Sequence, residues 1–97
     1  MSLIFELIDK TRRRVRLTKE RWEHILEHKG MENYLEDIKI MIERPEKIVP
    51  HDDASVNDYY KYYKHKKSKN KFLKVVVKYL NGDGYILSAY FVPKITY

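Results

Sequence analysis

The chain contains no cysteine among its 97 residues, and only three glycines and three prolines. The absence of cysteine excludes disulfide scaffolds, thiolate zinc sites and cysteine nucleophiles. Any catalysis therefore depends on histidine, lysine, arginine, hydroxyl or carboxylate side chains. No apolar run approaches the roughly 18 to 20 residues of a membrane span, and the N-terminus lacks an apolar segment followed by a small-residue cleavage site. We expect no membrane contact and a cytoplasmic location.

Acidic residues are scarce in the C-terminal part of the chain. Residues 59–97 contain nine lysines and a single acid, Asp83, which gives a net charge of +8, whereas residues 1–58 carry a net charge of −2. A potential of one sign on one surface concentrates partners of the opposite sign, and nucleic acid is the commonest polyanion. The alternative explanation is a solubilising surface with a lysine-rich loop.

Hydrophobic residues make up 43% of the chain and charged residues 35%, which indicates one folded domain over residues 1–97. Periodicity and turn residues predict strands at Leu3–Ile8, Arg12–Leu17, Lys47–Val49, Tyr59–Tyr63, Phe72–Leu80 and Tyr85–Val92, with helices from the N-cap Thr18 to Gly30 and over Tyr34–Ile42. We expect an α+β fold. An N-terminal β-hairpin or strand comes first, then two amphipathic helices, then a four-stranded antiparallel sheet that the helices cover on one face.

Alternation in the last two predicted strands assigns side chains to the two faces of the sheet. Leu87, Ala89 and Phe91 are expected to face the helices, and Ile86 is expected to face away from them. The polar side chains expected on the face away from the helices are Lys74, Lys78, Ser88 and Tyr90. They meet either water or a ligand.

Tyrosines and lysines are interleaved between these strands and the helices. Four tyrosines over residues 59–63 surround Lys61 and lead into a polar loop that contains Lys66, Lys67 and Lys69. Bases stack on aromatic rings while ammonium groups hold phosphates, so the combination favours single-stranded nucleic acid. The alternative is that some of the tyrosines belong to the core and the lysines are only solvated.

The first helix carries a polar flank. At 100° per residue, Arg21, His24 and His28 share one side. The apolar residues beside them are Trp22, Ile25 and Leu26. Imidazole titrates near neutrality and arginine binds phosphate through two nitrogens, so this flank suits proton transfer at a phosphodiester. A surface histidine pair without function is the alternative.

The same segment matches a zinc-peptidase pattern. His24, Glu27 and His28 fit the H-x-x-E-H spacing, in which two histidines one turn apart can bind zinc. A catalytic zinc also needs a third protein ligand, for which Glu36 or Glu43 is the available choice. A zinc hydrolase is therefore a minor alternative.

Several short motifs occur together, in order, over about residues 12 to 95. They are the segment Arg14–His28, E-R-P-E at Glu43–Glu46, Y-Y-K at Tyr59–Lys61, K-V-V-V-K at Lys74–Lys78, the turn N-G-D-G, and I-L-S-A-Y at Ile86–Tyr90. This order resembles phage-associated nuclease domains of the barnase, EndoU, colicin and RelE-like group. The resemblance implies two helices before a four-stranded antiparallel sheet, and a ribonuclease that needs no metal or other cofactor and is attached to phage structural proteins or toxins. The chain differs from the family in having Lys29 where a proline follows the second histidine, and Ser88 where the family has threonine.

We therefore expect a metal-independent endoribonuclease. Such cleavage needs a base for the 2′-OH, an acid for the leaving 5′-oxygen and a cation for the charged phosphorane. The residues assigned to catalysis are His24 and His28 as acid and base, Lys61 and Lys74 at the phosphate, and Ser88 and Tyr90 in orienting the substrate. The residues assigned to substrate binding are Arg21, Tyr60, Lys66, Lys67, Lys69 and Lys78.

RNA is the expected partner, and an immunity protein or antitoxin is a candidate second partner. A different class of function stays open: a non-catalytic RNA-binding or protein-interaction module on the same fold. The sequence leaves the oligomeric state open.

Overall fold

The structure, a computed structural model that describes residues 2–97, contains six strands in one mixed sheet together with two α-helices and one 3₁₀ turn. In chain order the elements are β1 (Leu3–Ile8), β2 (Arg14–Thr18), α1 (Lys19–Ile25), the 3₁₀ turn (Met31–Asn33), α2 (Leu35–Glu43), β3 (Lys47–Pro50), β4 (Val56–Tyr62), β5 (Phe72–Leu80) and β6 (Asp83–Val92). The strand order across the sheet is β1-β2-β6-β5-β4-β3. Neither helix in the described part of the chain has the length and apolarity to cross a membrane.

The prediction of a four-stranded antiparallel sheet is wrong. β3 to β6 pair antiparallel in sequence order, but β2 extends the sheet by pairing parallel with β6 at Val15–Gly84 and Arg16–Tyr85. β1 then pairs antiparallel with β2, so the N-terminal hairpin forms one edge of the same sheet. Periodicity within a strand identifies its faces but not the neighbour at its edge, so the sequence pattern does not predict this parallel contact. The broader α+β class still describes the molecule.

Gly84 allows β2 and β6 to meet. A Cβ atom at this position would lie 2.9 Å from a ring carbon of Tyr79 and 2.9 Å from a methyl carbon of Val15. Such distances are shorter than packed carbon atoms tolerate. The side chains of the core therefore occupy the space that a larger residue would need.

The turn between β5 and β6 has the residues that its backbone requires. Asn81 and Gly82 both have positive φ angles, 54° and 86°, as a two-residue type I′ turn demands. The antiparallel pairing of these strands, predicted from this turn, is confirmed.

A β-bulge changes the faces of β6. Val76 pairs with Ser88 and Val77 with Ile86, which leaves Leu87 as an extra residue. The prediction that Leu87 faces the helices and Ile86 faces away is therefore wrong: Ile86 is fully buried in the core and Leu87 is half-buried. Ser88 and Tyr90 keep their predicted face because the bulge precedes them.

α1 is shorter than predicted. Thr18 is its N-cap, as predicted, and its hydroxyl accepts a hydrogen bond from the backbone N–H of Arg21. The helix ends at Ile25, and the N–H of His28 donates to the carbonyl of Ile25 in a tighter turn. His28 therefore lies in the connection after α1, and the angle calculated for it as a helical residue does not apply.

The core lies between the sheet and the helices. α2 contacts both β1 and β4, so the sheet curves around this helix, while α1 packs on β2 and β6. Buried apolar side chains from both layers form one cluster, including Leu17, Ile25, Ile38, Met41, Ile42, Leu73, Val75, Val77, Ile86 and Ala89.

Candidate active site

We call the sheet face away from the two helices the open face. Strand pairing aligns side chains across it in two neighbouring lines. One line runs through Lys47, Tyr60, Lys74 and Tyr90, and the next runs through Val49, Asp58, Val76 and Ser88. The prediction that Lys74, Lys78, Ser88 and Tyr90 share a face agrees with this register.

Asp58 is the buried acid of this face. Its residue is 4% exposed, and its Oδ2 atom lies 2.9 Å from Nε2 of His51 and 3.6 Å from Nζ of Lys74. Its Oδ1 atom is buried and receives no hydrogen bond from residues 2–97. A buried carboxyl group needs polar partners, and both nitrogens lie beside the same Asp58 oxygen. Asp58 therefore connects His51 and Lys74 electrostatically.

His51 is held over Asp58 by the turn between β3 and β4. Its backbone N–H donates to the carbonyl of Val56 at 2.9 Å, one step beyond the last pair of the two strands. Its side chain is partly exposed. The imidazole therefore has one nitrogen at Asp58 and the other available to a ligand.

Lys74 lies at the centre of the face. Its side chain is 18% exposed, and its Nζ atom is 5.6 Å from the centre of the Tyr90 ring. Burial lowers the pKa of Lys74, but the nearby Asp58, Tyr60 and Tyr90 together outweigh burial, so the pKa is raised above its ordinary value. Lys74 is therefore a positive charge at neutral pH, not a base.

His28 reaches the same face from the connection after α1. Its ring stacks on Tyr90, with centres 5.1 Å apart and planes 26° from parallel. The His24 ring lies 6.4 Å from that of His28, and its Nδ1 atom is 3.9 Å from the Glu27 carboxylate. We call the continuous series of contacts formed by His51, Asp58, Lys74, Tyr90 and His28 the polar row.

A cavity of about 280 Å³ opens beside the polar row. His51, Asp58 and Lys74 line it, together with Thr96 and Tyr97 from the C-terminal segment. Lys47 faces Tyr97, with Nζ 5.2 Å from the ring centre. A small anion or a phosphate of a larger ligand can therefore approach Lys74 from this side.

Two residues assigned from the sequence do not lie where that assignment needs them. Lys61 pairs with Leu73, which places it on the helix side of the sheet, opposite to Lys74. Tyr60 is on the open face but only 1% exposed, so its ring offers no stacking surface. Its hydroxyl is also buried, without a hydrogen-bond partner among the described residues.

The cations assigned to substrate binding fall into two groups. Lys78 and Arg21 border the open face near the start of β6, and Nζ of Lys78 lies 3.3 Å from Asp53. Lys67 and Lys69 are exposed in the connection between β4 and β5. Lys66, in the same connection, packs with Nζ 4.1 Å from the centre of the Phe91 ring and is not merely solvated.

Sequence reasoning missed His51 and Asp58. The predicted strand began at Tyr59, whereas β4 begins at Val56 and therefore includes Asp58. Alternation from the buried Tyr59 would have put Asp58 on the same face as Tyr60 and Lys74. An acid inside a strand of aromatic and β-branched residues was the available signal.

His24 in α1 and His28 after it belong to no complete metal site among residues 2–97. Among residues 2–97, no group of three or more His, Asp or Glu side chains is placed to hold a metal ion. The arrangement thus gives no support to the zinc hydrolase suggested by the H-x-x-E-H spacing.

Comparisons with protein-family models, with curated proteins and with solved structures found no match to this chain. The chemistry of the polar row is therefore the basis for a functional proposal.

Proposed function

We propose that the protein is a metal-independent endoribonuclease whose active site is the polar row. The observation that supports this most strongly is the buried Asp58 with His51 on one side and Lys74 on the other, beside a cavity on the open face. In the polar row, the imidazoles of His51 and His28 lie on either side of the Lys74 ammonium group. These are the groups that cleavage through the 2′-OH requires. RNA is the proposed partner and the cytoplasm the proposed compartment.

The proposed reaction assigns one role to each group. His51 takes the proton of the 2′-OH, and the charge of Asp58 stabilises the imidazolium that results. The 2′-oxygen then bonds to phosphorus as the bond to the 5′-oxygen breaks, and His28 donates a proton to that leaving oxygen. Lys74 stabilises the negative charge of the phosphorane. Tyr90 positions His28 by stacking.

This assignment changes the one made from the sequence. His51 replaces His24 as the base. Within the polar row, His24 contacts His28 at its end, whereas His51 shares the Asp58 carboxylate with Lys74. Lys61 has no catalytic role, since the sheet separates it from Lys74. Ser88 stays as an open-face hydroxyl that can orient the substrate.

Cleavage of end-labelled RNA in EDTA tests the proposal. We expect His51→Ala to lower the cleavage rate by about 10² to 10⁴ and Lys74→Met by about 10² to 10³, the usual effects of removing a general base and a charge-stabilising group. His65→Ala, which changes an exposed histidine in the lysine-rich connection, should cleave as the wild type does. Equal rates for all three variants would refute the proposed site.

A non-catalytic RNA-binding module is the second candidate. The exposed Lys67 and Lys69 favour it, because they supply binding charge without any acid or base. RNA that binds the wild type but stays intact in the same assay would support binding alone.

A further inference from the structure

A second depression lies on the open face, at the end of β5 and the start of β6. It has a volume of about 250 Å³, and Tyr85, Leu80 and Leu87 form its apolar wall. Leu87 is the extra residue of the bulge in β6, and Leu80 is half exposed. The bulge thus places the Leu87 side chain beside Leu80 and Tyr85.

Cations surround this wall. Arg16, Arg21 and Lys78 line the depression. Arg16 is paired with Glu6 and Asp83, and Lys78 is paired with Asp53. The Nη1 atom of Arg16 is 3.2 Å from the Tyr85 hydroxyl, which holds the ring in place. Arg21 is exposed, and no carboxylate of residues 2–97 lies within ion-pairing distance of it. Its guanidinium is thus available to an anion.

An apolar aromatic wall with cations at its rim matches the two parts of a nucleotide. A base stacks on Tyr85 and its phosphate meets Arg21. A base in a duplex presents only its edge to a protein, so stacking requires an unpaired base. The chemistry therefore distinguishes single strands from duplexes.

The depression lies on the same side of the sheet as the polar row. Lys78 follows Lys74 by four residues along β5, which corresponds to about 13 Å. Phosphates of a stacked strand recur every 3.4 Å or so, so a strand at Lys74 reaches Tyr85 within a few nucleotides. We propose that the Tyr85 depression binds an unpaired nucleotide flanking the cleaved bond, so that the substrate of the proposed ribonuclease is single-stranded RNA. This inference rests on the proposed function for the cleaved bond, but binding at the depression is measurable without cleavage.

Binding of a fluorescent 2′-O-methyl oligonucleotide, which lacks the attacking hydroxyl, tests the inference by anisotropy. We expect Tyr85→Ala to weaken binding by about 5- to 150-fold, the effect of losing one stacked base, whereas Tyr85→Phe keeps the ring and most of the affinity. Arg21→Gln should reduce the slope of log affinity against log salt concentration by about one unit, the effect of losing one phosphate contact. Arg44→Gln, which changes an exposed arginine just after α2, is the matched control. The same oligonucleotide annealed to its complement should bind more weakly than the single strand.

Failure of this inference is separable from failure of the proposed function. Unchanged affinity in both Arg21→Gln and Tyr85→Ala, equal affinity for duplex and single strand, or no binding by the wild type would overturn the nucleotide site, even if the wild type cleaves RNA. Arg21→Gln keeps the test decisive if Tyr85→Ala does not fold. Binding that follows the expected pattern without cleavage of ordinary RNA would uphold the site and refute the ribonuclease.

Discussion

Asp9 connects the N-terminal hairpin to the centre of the sheet through one buried carboxylate. Its Oδ1 atom accepts hydrogen bonds from the N–H and hydroxyl of Thr11 and from the N–H of Arg13. Its Oδ2 atom accepts from the hydroxyls of Tyr59 and Tyr79. Burial of Asp9 raises its pKa, but these donors together outweigh burial and hold the pKa below the ordinary value of 3.8. The ionised form of Asp9 is thus a structural element.

We predict that Asp9→Asn destabilises the protein by about 1.5 to 3 kcal/mol at neutral pH, because the amide cannot accept all of these hydrogen bonds. A carboxylate with a lowered folded pKa stabilises the fold above its unfolded pKa and loses that effect as the pH falls through the folded value. As the pH is lowered below 3.8, the urea concentration at the unfolding midpoint of the wild type should therefore decrease. The difference in midpoint between the wild type and Asp9→Asn should shrink over the same pH range.

Asp52→Asn, an exposed change in the turn between β3 and β4, is the control for Asp9→Asn and should shift the urea midpoint little. A constant difference between wild type and Asp9→Asn from pH 7 down to pH 2 would contradict the structural role of the ionised carboxylate.

Single residues also show what the sequence can predict about the site. Lys74 and Tyr90 could be placed on one face because alternation is a local property of each strand. The contact of His51 with Asp58 depends on where β4 begins and on its register with β3, which adjacent residues do not encode. The position of His28 depends on a helix that ends at Ile25, five residues before the glycine that was expected to end it.

Among the elements, β5 was predicted correctly from the sequence and β6 was predicted only in part. β5 has the predicted bounds, and buried and partly exposed residues alternate along it from Phe72 to Tyr79. In β6 the bulge at Leu87 interrupts the alternation, and a bulge has no signature in a run of apolar residues. The faces assigned to Ile86 and Leu87 were wrong for this reason, while those of Ser88 and Tyr90 were not.

The connection between β4 and β5 is the most cationic segment outside the sheet. We predict that the double variant Lys67→Gln and Lys69→Gln reduces the slope of log RNA affinity against log salt concentration by about two units. This is the effect of losing two phosphate contacts, which is expected if both side chains follow the backbone of the RNA. Lys66 is left unchanged, because its packing against Phe91 gives it a structural role. Binding isotherms between 50 and 200 mM salt measure the slope.

Lys10→Gln with Lys19→Gln removes the same charge from exposed positions in the N-terminal half and serves as the control. A slope that changes equally in both double variants would show that only net charge matters. The lysines of the connection would then have no specific contact with RNA.

Across the whole molecule, the hydrophobic core and the proposed active site lie on opposite faces of one curved sheet. The helices cover the core side of the sheet, where α2 contacts both β1 and β4. The polar row lies on the open face. The α+β class could be predicted from the order of periodic segments. The six-stranded mixed sheet could not, because the parallel contact at Gly84 joins residues nearly 70 positions apart that share no local pattern.

The ends of the RNA products test the ribonuclease proposal most directly. End-labelled RNA is incubated with the wild-type protein in EDTA, and the new termini are identified by mass spectrometry. We predict a 2′,3′-cyclic phosphate on the upstream fragment and a 5′-hydroxyl on the downstream fragment, since the 2′-oxygen displaces the 5′-oxygen from phosphorus. Intact RNA, cleavage that requires a metal ion, or products with 5′-phosphate and 3′-hydroxyl ends would contradict it.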